Sequence, residues 1–107
     1  MTLDRMFHAL ADGTRRAMIE RLVRGPATVS DLARPFDMTL PAVVQHLAVL
    51  EAAGLVTSRK MGRVRTVQLA PDALTAAGAW ISEQRLPAER QLDRLEDFLT
   101  APKEHVR

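Results

Sequence analysis

Residues 39–54 read TLPAVVQHLAVLEAAG, and this stretch decides the fold. It opens with a helix-capping threonine, has a proline in its first turn, and ends in a glycine that favours a helix end. Val43, Leu47 and Leu50 recur at the i, i+4, i+7 spacing of a buried helix face. We therefore predict a helix over about 40–53.

A shorter helix is predicted just before this one. Thr28 and Asp31 are spaced like a capping box, and Pro35 should shorten or kink the helix that they open. Residues 36–38 then form a tight turn. Two short helices joined by a tight turn are typical of a helix-turn-helix, in which the helix over 40–53 is the second.

Two segments rich in β-branched residues follow, over 55–58 and 65–69, and they predict a β-hairpin with a glycine at its tip. A helix-turn-helix followed by such a hairpin is typical of a winged helix-turn-helix, with its wing over about 55–69. We predict a single domain over 1–107, mainly α with a small β-hairpin, built from five to six helices and dimeric.

The predicted wing is strongly basic. Arg59, Lys60, Arg63 and Arg65 lie within seven residues, with no acid among them. Such a strip of cations suits contact with DNA phosphates. An ordinary solvated loop is the alternative that the sequence leaves open.

The outward face of the helix over 40–53 carries no acid before Glu51. The amide of Gln45 can pair with adenine. Pro41, Ala42 and Val44 offer apolar contact to the methyl group of thymine. We therefore expect a preference for A·T pairs at the centre of each half-site, with a phosphate contact by Gln45 as the alternative.

The segment over about 74–99 predicts a long helical region that Pro87 should kink or split. From Ile81 to Leu99 a series of residues, apolar except for Arg85, recurs at alternating steps of four and three, which is typical of a seam between helices. We predict a dimer interface here, with an intramolecular lid as the alternative. Together with two residues of a predicted N-terminal helix, the interface comprises Leu3, Phe7, Trp80, Ile81, Leu92, Leu95, Phe98 and Leu99.

Composition excludes several classes of function. The chain has 107 residues, 26% of them charged, and its net charge is +4 over 1–65 and −2 over 66–107. The absence of cysteine excludes disulfides and thiol chemistry. Since no apolar run spans a bilayer and the first residues lack a signal-peptide pattern, we expect a cytoplasmic protein with no membrane partner. No phosphate loop and no nucleophile–base pair is legible, so we expect no catalytic residues, no enzyme activity and no cofactor.

Residues 7–16, FHALADGTRR, resemble the opening signature of the ArsR family of small bacterial winged-helix repressors. Residues 41–56, PAVVQHLAVLEAAGLV, are similar to that family's recognition helix and its exit into the wing, and Gly62 and Arg63 match the wing. The resemblance covers roughly 5–70. It implies a homodimeric transcriptional repressor that binds an inverted repeat in a promoter, often that of its own operon.

Many members of that family release DNA when a metal binds, but the ligands for such a site are missing from this sequence. The short helix that Thr28 opens has no cysteine, and His8, His46 and His105 share no ligand spacing. His46 lies toward the buried side of its helix, which favours a packing role or a phosphate contact over a metal ligand. We therefore expect a family member that senses no metal, with an unknown inducer.

The residues expected to contact DNA lie on the predicted recognition helix and wing: Thr39, Leu40, Pro41, Ala42, Val44, Gln45, His46, Arg59, Lys60, Arg63 and Arg65. We expect a homodimer to bind double-stranded DNA sequence-specifically. The alternative is a winged-helix module that binds a partner protein without DNA specificity. For Arg15 and Arg16, a phosphate contact and a surface ion pair with Asp12 or Glu20 are equally consistent with the sequence.

Overall fold

The computed structural model describes residues 2–85 and 87–100. The elements follow one another in the order α1 (Leu3–Leu10), α2 (Gly13–Val23), β1 (Ala27–Thr28), α3 (Val29–Ala33), α4 (Leu40–Ala52), β2 (Val56–Met61), β3 (Val64–Leu69), α5 (Thr75–Glu83) and α6 (Pro87–Thr100). This order confirms the predicted fold class, a mainly α winged helix-turn-helix.

The first four helices begin where side-chain oxygens accept hydrogen bonds from otherwise unpaired backbone N–H groups. Asp12 caps α2 by accepting from the N–H of Arg15 at 3.0 Å, and Thr28 caps α3 by accepting from the N–H of Asp31 at 3.0 Å. α3 ends at Ala33, before Pro35, so the predicted shortening is confirmed. Local sequence signals therefore set most of these boundaries.

The sheet has three antiparallel strands in the order β1-β3-β2, so the predicted hairpin is part of a larger sheet. The added strand β1 pairs Ala27 with Val67 and Thr28 with Thr66. Two residues are too few to show a two-residue periodicity, which is why the sequence predicted no strand there. By pairing with β1, the central strand β3 is tied to the segment that leads into α3.

The wing is slightly shorter than predicted. β2 begins at Val56, and Leu55, which was predicted as part of the wing, lies buried between α4 and β2. Likewise α4 ends at Ala52, with Ala53 as its C-cap rather than its last residue. At the tip, Met61 pairs with Val64, leaving Gly62 at a φ of 63° as the first residue of a two-residue turn, where hairpins favour glycine.

The core lies between the first four helices and the sheet. Val43, Leu47 and Leu50 are at most 1% exposed, as predicted for the buried face of α4. They belong to one cluster that also includes residues of α1, α2, α3 and β3, and Leu3 and Phe7 pack half-buried against it. α4 is therefore held on several sides by buried apolar contacts.

The predicted helical region over 74–99 is two helices rather than one. α5 ends at Glu83 and α6 begins at Pro87, as expected for a residue that has no N–H and disfavours helix in the residue before it. The chain divides into two compact units, one ending at Ala77 and one beginning at Gly78. The single domain over 1–107 stays a prediction, and its last seven residues lie outside the described ranges.

Candidate nucleic-acid interface

The outward face of α4 is fixed by the burial of its opposite side. Three anchors, Val43, Leu47 and Leu50, contact the core on successive turns. The first turn is set by the Oγ1 of Thr39, which accepts a hydrogen bond from the N–H of Ala42 at 3.3 Å. The buried anchors and the Thr39 cap together fix the rotation of α4 about its axis. The directions of the outward side chains follow from that rotation.

This outward face is small and uncharged. Pro41, Val44 and Gln45 are exposed, Leu40 is 51% exposed, and Ala42 is half-buried. A helix with no acid on its leading turns can approach a polyanion without repulsion, and side chains of this size fit the width of a major groove. Of the four residues predicted to contact bases, three are exposed and Ala42 is half-buried, and their contact with bases stays a prediction.

The strand register divides the cations of the wing between two faces. Lys60 lies directly opposite Arg65, so the two side chains share a face, whereas Arg59 alternates to the other face. Arg63 lies at the exposed tip. The four cations predicted as one strip therefore do not share one face. Lys60 and Arg65 form a pair, Arg63 lies at the tip, and Arg59 lies on the opposite face.

A groove of about 650 Å³ separates the start of α3 and the first turns of α4 from the wing. Cationic side chains of the wing and apolar side chains of the helices line it together: Val29, Leu40, Val44, Lys60, Arg63, Val64 and Arg65, with Thr28, Ser30 and Ser58. The groove thus places the predicted base-contacting surface next to the predicted phosphate-contacting surface.

Arg65 is engaged by neighbours that the sequence did not associate with it. Its Nη2 lies 3.1 Å from the Oε2 of Glu51, and its Nε and Nη2 donate to the Oγ of Ser58 at 3.2 and 3.1 Å. The Oγ of Ser58 in turn lies 3.5 Å from the same Glu51 oxygen. This network joins the last turn of α4 to both strands of the wing.

Arg15 and Arg16 act on the end of α1. Arg15 donates to the carbonyl oxygens of Ala9 at 2.7 Å and His8 at 3.1 Å, and Arg16 donates to that of Leu10 at 2.8 Å. The last carbonyls of a helix have no partner within it and carry partial negative charge, so cations stabilise them. The structure therefore shows a third role, helix capping, that the sequence analysis did not consider.

His46 is half-buried beside this capping group. Its Nδ1 lies 3.2 Å from the Nη1 of Arg15 and 3.9 Å from the Oδ2 of Asp12. A guanidinium can only donate, so in this pairing Nδ1 is the acceptor and the imidazole proton is on Nε2. The backbone hydrogen bond from Arg15 to Asp12 lowers the pKa of that carboxyl. His46 thus contacts the start of α2, and the packing role or phosphate contact expected for it stays a prediction.

Comparison with known proteins places this fold and surface in a family. Residues 10–59 match a helix-turn-helix domain family. The chain is 53% identical over 73 residues to the HTH-type transcriptional regulator Rv2034 of Mycobacterium tuberculosis, covering 68% of each. It also superposes on the crystal structure of an ArsR family transcriptional regulator with a TM-score of 0.74 and 52% identity, covering 77% of this chain and 84% of that one.

The chain belongs to the ArsR family of transcriptional regulators. It therefore has the family's helix-turn-helix DNA-binding domain, which the β2–β3 hairpin follows as the wing. The assignment of α4 as the recognition helix stays a prediction. A second similar structure is the solution NMR structure of a homodimeric winged helix-turn-helix DNA-binding domain from Mycobacterium bovis. Its TM-score is 0.64 at 25% identity, over 86% of this chain and 82% of that one.

The side chains predicted to form the dimer interface of this ArsR-family chain fall into two groups. Leu3 and Phe7 are half-buried on α1. The others are exposed on α5 and α6: Trp80 45%, Ile81 54%, Leu92 64%, Leu95 54%, Phe98 79% and Leu99 70%. Apolar side chains repeated along one helix at this exposure are typical of a surface that a partner covers.

Metal sensing, which many family members use, stays a predicted absence for this chain. Over residues 2–85 and 87–100, no three of its His, Asp and Glu side chains come close enough together to hold a metal ion. His105, the third histidine of the sequence, lies outside those ranges.

None of the helices in the same part of the chain has the length and apolarity that a bilayer crossing requires.

Proposed function

We propose that the chain is a homodimeric repressor that binds an inverted repeat in a promoter, its own promoter being the first to test. The observation that carries this proposal is the groove in which the uncharged outward face of α4 adjoins cationic side chains of the wing. A neutral face suits close approach to base edges, and cations beside it suit the flanking phosphates.

Base recognition is assigned to the leading turns of α4. Gln45 is exposed at the centre of the outward face, and its amide matches the paired donor and acceptor of adenine. Val44, 37% exposed, presents methyl groups suited to thymine, with Pro41 and Ala42 beside it. We expect these contacts to favour A·T pairs at the centre of each half-site.

Phosphate contact is assigned to the exposed cations of the wing. Within the described part of the chain, Arg59, Lys60 and Arg63 have no acidic partner within 4.0 Å. Each is therefore available to displace a counterion from DNA. Arg63→Ala should weaken binding to all sequences alike and make the affinity less sensitive to salt.

Dimerisation is assigned to the exposed apolar residues of α5 and α6, with Leu3 and Phe7 as the α1 contribution. Burying side chains of this size in a second copy would remove a large apolar area from water. The two recognition helices of such a dimer should enter successive major grooves about one helical turn, ~34 Å, apart. The Mycobacterium bovis domain, which is homodimeric, supports this assignment.

Selection of random duplex DNA by the purified protein tests the proposal. Enrichment of a palindrome with half-sites about one turn apart is the expected result. A single, unpaired half-site would overturn the dimeric arrangement. Failure to enrich any duplex at low salt, combined with recovery of a partner protein in a pull-down, would favour the protein-interaction module. The proposal includes no metal, cofactor or catalytic step, and it leaves the inducer open.

A further inference from the structure

The placement of Glu51 calls for an explanation. It is the only acid of α4 and it lies in the last turn, where the partial negative charge of the helix end disfavours a carboxylate. Its contacts Ser58 and Arg65 line the groove that we assign to DNA, and no acid lines that groove. An acid in this position opposes both helix stability and DNA approach unless its charge is used locally.

The structure shows what Glu51 is used for. Its Oε2 is 3.1 Å from the Nη2 of Arg65, and Ser58 holds both groups, with its Oγ 3.1 Å from that nitrogen and 3.5 Å from that oxygen. Arg65 also lies directly opposite Lys60 in the strand register. Two like charges in that relation repel, and Glu51 offsets this repulsion.

We propose that Glu51 and Ser58 make Arg65 a positioning residue, which fixes the wing against the end of α4 and withholds its own charge from DNA. This inference rests on the proposed DNA-binding function. It reassigns one of the four cations predicted to contact phosphate. The remaining three, Arg59, Lys60 and Arg63, carry the phosphate contacts of the wing.

Holding Arg65 against α4 affects the specificity of DNA binding. Phosphate contacts strengthen binding to every sequence, whereas a wing held at a fixed distance from α4 favours duplexes whose bases fit the recognition helix. By neutralising one cation and using it as a brace, the protein lowers its affinity for random DNA relative to its own site. Glu51 is thus a specificity-determining residue although it contacts no base.

The test measures how affinity depends on salt, because that dependence counts the cations that touch phosphate. Each contact contributes about 0.9 to the slope of log affinity against log salt, or about 3.5-fold in affinity between 50 and 200 mM. Glu51→Gln should steepen the slope by about 0.9 per protomer and raise affinity for random duplex more than for the selected duplex. The double variant Glu51→Gln/Arg65→Gln should keep the wild-type slope.

Lys60→Ala serves as the matched control, since it removes an unpaired cation from the same face and should make the slope shallower by about 0.9 per protomer. Circular dichroism and thermal melting verify that each variant is folded. A double variant whose slope is as shallow as that of Lys60→Ala would overturn the inference, as would an unchanged slope for Glu51→Gln. Absence of binding by the wild-type protein to any duplex would overturn the proposed function as well.

Discussion

α4 and α6 are helices of nearly equal length, 13 and 14 residues, whose apolar side chains have opposite environments. α4 buries Val43, Leu47 and Leu50 to 1% exposure or less. Along α6, Leu92, Leu95, Phe98 and Leu99 are 54–79% exposed. Both helices have an apolar stripe; among the described residues, that of α4 is buried and that of α6 is exposed.

This difference shows that a periodic apolar pattern predicts a buried helix face. It does not predict whether the chain's own core or another molecule buries that face. The stripe of α4 faces its own core, and the opposite side of the helix is the one that we assign to DNA. The stripe of α6 is accompanied by exposed acids, Glu89, Glu96 and Asp97 among them, so its apolar side is distinct from its charged sides. A second copy of the chain is the covering that the proposed function supplies.

The largest effect is expected from removing an anchor of α4. Leu47→Ala leaves a cavity in the core and should lower the free energy of unfolding by about 2–5 kcal/mol. Chemical denaturation measures this change. Leu92→Ala makes the same chemical change on α6, where the side chain is 64% exposed. Its cost should depend on protein concentration, because it weakens association rather than the fold of one chain. If both substitutions lowered the free energy of unfolding equally at the lowest protein concentration, the leucines of α4 and α6 would not differ in how the chain buries them.

Next in size is the effect of a charge in the α6 stripe. Leu95→Lys should prevent dimerisation, because burying an unpaired ammonium is unfavourable, and should weaken binding to a palindromic duplex by about 100-fold or more through loss of bivalency. Analytical ultracentrifugation and fluorescence anisotropy measure the two changes. Asp97→Asn makes the same change in net charge on the other side of α6. It should leave dimerisation and the affinity for the palindromic duplex unchanged. A dimeric Leu95→Lys protein would contradict the assigned interface.

A smaller and more selective effect is expected on the exposed side of α4. Gln45→Ala should relax discrimination at one or two base pairs by about 1–3 kcal/mol each while leaving affinity for random duplex unchanged. Binding to a panel of single-base variants of the selected duplex measures this. Arg63→Ala is the contrasting variant, since it should weaken all members of the panel alike. If the two variants gave the same profile, Gln45 would be a phosphate contact.

The smallest effect concerns the start of α4. Thr39→Ala removes the oxygen that accepts from the N–H of Ala42 and should cost about 1 kcal/mol of stability. Thr39→Ser keeps that oxygen and should retain most of the stability, as measured by thermal denaturation. If both substitutions cost the same, the methyl group of Thr39 rather than its hydroxyl would be what stabilises the helix start.

The sequence predicted most of the fold because the signals for it are local. Caps such as Thr28 and Thr39 lie within three residues of the groups they bind, and the break before α6 follows from Pro87 alone. The strand β1 was missed because its two residues form a strand only by pairing with β3, about forty positions further along the chain.

The candidate site was predicted in part for the same reason. Exposure of Val44 and Gln45 follows from helix periodicity, which the sequence shows. The partners of Arg65 do not follow from helix periodicity. Glu51 is fourteen residues away and contacts Arg65 only when the wing folds back along α4. The split of the cations between two faces also depends on the register, which a basic run does not reveal by itself.

Because the wing ends in a two-residue turn, its length depends only on the length of its two strands. With Gly62 and Arg63 as its only unpaired residues, the distance that the hairpin reaches is set by strand length alone. Inserting one cross-strand pair extends it by about 3.4 Å, which equals the advance of one nucleotide along a DNA strand. The length of the two strands therefore sets how far the exposed cation of the tip, Arg63, lies from α4.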